Sequence, residues 1–188
     1  LDRSRTELET ALALARDLDD SDDERLILTL NGLGITLWQL GEFDAAITHI
    51  TEMSERATTH DATSHMANAA NLLGIIRLTQ ERYDEAAEHF TRMLRISKDA
   101  GNVKHEVIAS VNLGEIERLG GRYETARNRF FEGLIISEEN AFTQQSLVCL
   151  MNLGDVNVWL GDYDDARDYL RRALHETERM DGSGYPEP

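Results

Sequence analysis

Apolar residues recur three and four positions apart along most of the chain, and short polar or glycine-containing runs interrupt them. That spacing predicts amphipathic helices joined by tight turns. The turns "GEF", "ERY", "GRY" and "GDY" separate first helices at about 24–40, 62–80, 103–119 and 142–160 from second helices at about 43–58, 83–99, 123–139 and 163–180. Glycine at 41, 121 and 161 suits a left-handed helix C-terminus, and Asp44, Asp84, Glu124 and Asp164 place a carboxylate at the positive end of the next helix. Upstream, "LETALALARDLDD" aligns with "LRRALHETERMDG", so the chain opens on an unpaired second helix followed by the acidic link "DLDDSDDE".

The pattern repeats every 40 residues. Leu33-Gly34, Leu73-Gly74, Leu113-Gly114 and Leu153-Gly154 fall in register, as do the aromatics Phe43, Tyr83, Tyr123 and Tyr163. Ala46, Ala86, Ala126 and Ala166 follow, and then Ile50, Phe90, Phe130 and Leu170. The organisation expected is one domain: an orphan helix at 1–20, repeats at 24–60, 61–101, 102–140 and 141–181, and a tail at 182–188. A glycine inside a helix costs about 1 kcal/mol relative to alanine. Its return in all four first helices predicts a close approach to the second helix, expected at the small Ala46, Ala86, Ala126 and Ala166.

The order of Leu-Gly, aromatic, alanine and large apolar residue resembles the tetratricopeptide repeat. The departures are that Leu30, Ala70, Ser110 and Leu150 stand at the tryptophan position, Leu37, Arg77, Glu117 and Asn157 at the late tyrosine, and no terminal proline is present. The resemblance implies an all-α solenoid of antiparallel helix pairs, about nine helices wound into a right-handed superhelix, with the first helices lining its concave face.

Composition narrows what such a scaffold could hold. The net charge of -16, from 35 acidic against 19 basic residues, argues against direct nucleic-acid binding, which needs clustered Lys and Arg. No apolar run is long enough to span a membrane. With Cys149 the one cysteine, no internal disulfide can form, and a reducing, cytoplasmic setting is expected. The 17 arginines against two lysines point to a GC-rich or salt-adapted bacterial source. Catalytic signals are missing: His49, His60, His65, His89, His105 and His175 have no metal-ligand spacing, and no phosphate-binding glycine loop occurs. The expectation is a non-enzyme with no cofactor and no metal.

Carrying the repeat positions over assigns a concave face of Leu28, Asn31, Ile35 and Trp38 from the first repeat and Asn68, Asn71, Ile75 and Leu78 from the second. Ile108, Val111, Glu115 and Arg118 come from the third repeat, and Val148, Met151, Asp155 and Val158 from the fourth. A helix face meeting only water should be charged. This one mixes aliphatics, Trp38 and asparagines whose amides can both donate to and accept from a peptide backbone. Alternatively, a tight superhelix packs these same side chains internally. With Arg118 the one basic residue of the sixteen, the face does not resemble the carboxylate-clamp type, and apolar or basic protein ligands are expected.

The 40-residue "NLG" repeat resembles the sensor arrays of large bacterial transcriptional regulators. It equally resembles the adaptor arrays of spindle-orientation and kinesin light-chain proteins. The favoured reading is an interaction or sensor domain for a protein or peptide in such a regulator. Self-association as a homodimer through apolar end faces is the alternative.

Overall fold

The computed structural model describes residues 2–17 and 23–181. The link at 18–22, the end of the expected 1–20 segment and the tail at 182–188 lie outside the described residues. Among the described residues the fold is all-α, with nine helices: α1 (Asp2–Asp17), α2 (Asp23–Gln39), α3 (Phe43–Thr59), α4 (Thr63–Thr79), α5 (Tyr83–Asp99), α6 (Val103–Leu119), α7 (Tyr123–Glu139), α8 (Thr143–Leu160) and α9 (Tyr163–Asp181). Expected and observed ends agree within one or two residues, the ordinary scatter of helix boundaries. The chain divides into two compact units, one carrying α1–α5 and the other α6–α9, with the boundary between Asn102 and Val103.

The turns are more regular than the sequence suggests. A left-handed residue occurs every 20 positions, at Gly41, Asp61, Glu81, Gly101, Gly121, Ala141 and Gly161, with φ between 50° and 84°. In each turn the N–H of the following residue donates to the carbonyl five positions back, as Glu42 does to Leu37 and Phe142 to Ser137, at 2.8–2.9 Å. This Schellman closure satisfies the last helical carbonyls through backbone alone. It therefore tolerates Asp61, Glu81 and Ala141 where glycine was the sequence-level signal.

In the first unit Leu30, Leu33 and Leu37 of α2 pack with Ile50 and Met53 of α3 and Ala69, Leu73 and Ile76 of α4, and α1 adds Leu12. In the second, Val107 and Val111 of α6 meet Phe130 and Leu134 of α7 and Cys149, Leu150 and Leu153 of α8. Burying one such side chain completely contributes roughly 1.5–3 kcal/mol.

The recurring helix glycines do mark close approach, but the neighbour differs from the one expected. A Cβ at Gly34 would lie 2.5 Å from Ile50 Cγ1, and one at Gly74 2.5 Å from Phe90 Cε1. At Gly114 it would meet Phe130 Cε1 at 2.7 Å, and at Gly154 Leu170 Cδ2 at 2.5 Å. The Ala46 carbonyl is 3.8 Å from the Gly34 position. The missing side chain makes room for the large residue four positions after the alanine. The alanine lets the second helix come near enough for that side chain to reach across.

Candidate protein-binding surface

In the first unit, Leu28 of α2 is exposed, while Asn31, Ile35 and Trp38 of α2 and Asn68, Asn71, Ile75 and Leu78 of α4 are half-buried. Trp38 bridges the two helices, its indole N–H donating to Thr79 Oγ1 at 3.3 Å. This face is neither a sealed core nor a solvated one. Its apolar side chains remain partly accessible beside asparagine amides.

The second unit places its predicted residues unevenly. Ile108, Glu115 and Arg118 of α6 are half-buried, and Val148, Met151, Asp155 and Val158 of α8 are exposed. Val111 departs from the expectation. It is only 7% exposed, belongs to the core, and lies with Val107 and Cys149 around Gly133, where the absent side chain lets α7 approach both neighbours. Leu28, Val148, Met151 and Val158, at 46–54% exposure, are the predicted residues that leave most apolar surface in water.

Arg118 is held by Glu115 through two hydrogen bonds, Nε to Oε2 at 2.8 Å and Nη2 to Oε1 at 2.5 Å. That hydrogen bonding, with the nearby charges of Glu115 and Asp155, raises the guanidinium pKa above its ordinary value. The cation is spent on its own helix, so the α6–α8 face presents aliphatic groups with Asp155 exposed among them. Sequence periodicity missed an aromatic pair at the edge of this face. Tyr123 of α7 and Trp159 of α8 stack with centroids 5.6 Å apart and planes 8° from parallel, and Trp159 stays 61% exposed. Trp159 directly follows Val158 and so falls outside a three- and four-residue spacing, but its exposure on the structure finds it.

The remaining reactive groups are quiet. Burial pushes the Cys149 thiol up to about 12, so the nucleophilic thiolate is suppressed at neutral pH. Burial also lowers the pKa of His49, His89 and His105, favouring neutral imidazoles. Among the described residues no three His, Cys, Asp or Glu side chains gather to hold a metal ion, and no helix is long and apolar enough to cross a membrane.

The tetratricopeptide repeat family profile matches residues 65–139 and 108–175. No curated protein matches the chain. Among solved structures, the Rap conjugation gene regulator of plasmid pLS20 in complex with the Phr* peptide is similar at 17% identity and a TM-score of 0.79, over 94% of this chain and 48% of that one. The kinesin light chain-like repeats of Podospora anserina are similar at 12% identity and a TM-score of 0.70, covering 96% of this chain and 88% of theirs. BtubC from P. vanneervenii is similar at 19% identity and a TM-score of 0.63, covering 100% and 94%.

Proposed function

This chain belongs to the tetratricopeptide repeat family, and on that footing we propose that it is a protein- or peptide-binding scaffold acting through the faces of its first helices. The observation that carries this reading is the half-open character of those faces. Leu28, Val148, Met151 and Val158 leave apolar surface in water, while Asn68 and Asn71 offer amides beside Ile75 and Leu78. A monomer gains nothing from such exposure, whereas a ligand that covers it gains apolar burial. The similar pLS20 regulator, solved with a peptide, supports recognition of peptides by repeats of this fold.

The ligand that fits is apolar with basic flanks. Asp155 is exposed on α8, Arg118 is neutralised by Glu115, and the chain carries a net charge of -16, so its long-range field draws cations. We assign the chain to a larger bacterial transcriptional regulator as its cytoplasmic sensor or interaction domain. No catalytic step is assigned to it.

The test is titration of the purified chain with a display-selected panel of apolar-basic peptides, followed by variants. Asn71→Ala combined with Ile75→Asp should abolish binding at the first unit, and Met151→Asp should do so at the second, with helical content and thermal midpoint nearly unchanged. An equally large fall in thermal midpoint would instead place these side chains in the core. A panel that never binds would remove the ligand class.

A further inference from the structure

The repeat supplies its own standard for what should cover a second helix. In α7, Phe130 is 0% and Leu134 2% exposed, and α8 packs over them through Cys149, Leu150 and Leu153. In α3, Ile50 and Ala57 are fully buried, with Ala69 and Leu73 of α4 in the same cluster. The residues of α9 in register with Phe130 and Leu134 are Leu170 and Leu174, 44% and 60% exposed. No described helix covers them. Together with Val158, Tyr163 and Ala166 they form an open apolar hollow of about 420 Å³ rimmed by Arg167 and Arg171.

We propose that this face of α9 docks an amphipathic helix of a partner polypeptide, in the pose that α8 takes on α7, and that an acidic residue two positions past the end of the partner helix meets Arg167. Two features fix the chemistry of the occupant. The first is the side-chain pattern of the helices that fill the equivalent positions: Ser146, Cys149, Leu150 and Leu153 in α8, and Met66, Ala69, Ala70 and Leu73 in α4, a small-and-leucine face without charge. The second is electrostatic. Arg127, in register with Arg167, reaches past α8 to Asp162, two residues beyond its end, with Nη1 to Oδ2 at 3.0 Å. Arg167 has only the exposed Asp164 of its own helix, at 2.7 Å, as its recorded ion pair. A carboxylate after the docking helix would give Arg167 the bridge that Arg127 makes. The occupant is a different polypeptide because α2, α4, α6 and α8 are each already packed against second helices of their own unit. This surface is separate from the Asn71 and Ile75 site, so the two assignments succeed or fail independently.

The probe is a fluorescein-labelled peptide of residues 142–162, with Cys149→Ala to prevent oxidation, titrated with the full chain and followed by anisotropy. Saturable binding is expected. It should weaken about tenfold or more with Leu174→Asp in the protein, a change at an exposed position that leaves folding intact. Arg167→Asp should weaken it as well, and the peptide's Asp162→Arg should restore the loss. No saturable binding, or binding indifferent to Leu174→Asp, would overturn the proposal. Sedimentation showing a concentration-dependent dimer that Leu174→Asp dissolves would also overturn it, by placing a second copy of this chain on the face.

Discussion

Helices α7 and α9 occupy the same place in consecutive repeats, yet one is sealed and the other open. Phe130 and Leu170 share a register position and face equivalent glycines, Gly114 and Gly154, but Phe130 is fully buried whereas Leu170 is 44% exposed. The difference lies in neighbours, because α8 covers α7 and no described helix covers α9. In a repeat protein a side chain's energetic weight thus depends on position in the array as much as on identity.

Truncation gives the strongest contrast. Phe130→Ala should cost about 3–5 kcal/mol, as expected for emptying a sealed aromatic site. Leu170→Ala, already half in water, should cost about 1 kcal/mol. Urea unfolding of the two variants measures both, and equal losses would break the distinction.

Adding a methyl group tests the same pair from the opposite side. Gly114→Ala forces a buried ring to move, and the overpacking of about 1–3 kcal/mol outweighs most of the helix-propensity gain of about 1 kcal/mol. At Gly154→Ala the half-exposed Leu170 can swing outward, so the two effects should nearly cancel. Thermal midpoints of the two variants should therefore separate, with Gly114→Ala the lower.

The turns flanking α8 sharpen the comparison at a smaller scale. Ala141 and Gly161 hold equivalent left-handed conformations at φ 56° and 84°. Gly161→Ala should lose about 1 kcal/mol and Ala141→Gly gain a little less, because a Cβ is strained in that region and glycine is not. The smallest expected effect is that of Leu174→Asp, within about 0.5 kcal/mol on stability, since its side chain projects into water.

Helix number, order and boundaries were legible because 40-residue periodicity repeats each signal four times. The glycine's neighbour was misassigned. Register shows which positions recur but not how far a side chain reaches, and only the packed helices reveal that Ile50, Phe90, Phe130 and Leu170 span the gap. The candidate face was legible in part. Asn71 and Met151 carry a polarity pattern readable along the chain, whereas the burial of Val111 depends on Gly133 in the next helix, a departure from the repeat whose effect is tertiary. Trp159 gains its place from a ring stacked on Tyr123, a relation that no helical spacing encodes.

The backbone-closed turns bear on how such a chain changes length. Their left-handed residues recur at a constant interval of 20, and the closing hydrogen bonds involve main-chain atoms whether the residue is Gly, Asp, Glu or Ala. Each turn is therefore an interchangeable joint. Cutting at Asp61 and rejoining at Asn102 recreates the same junction with one repeat fewer, so duplication or loss of whole 40-residue segments can proceed without a new loop having to be invented.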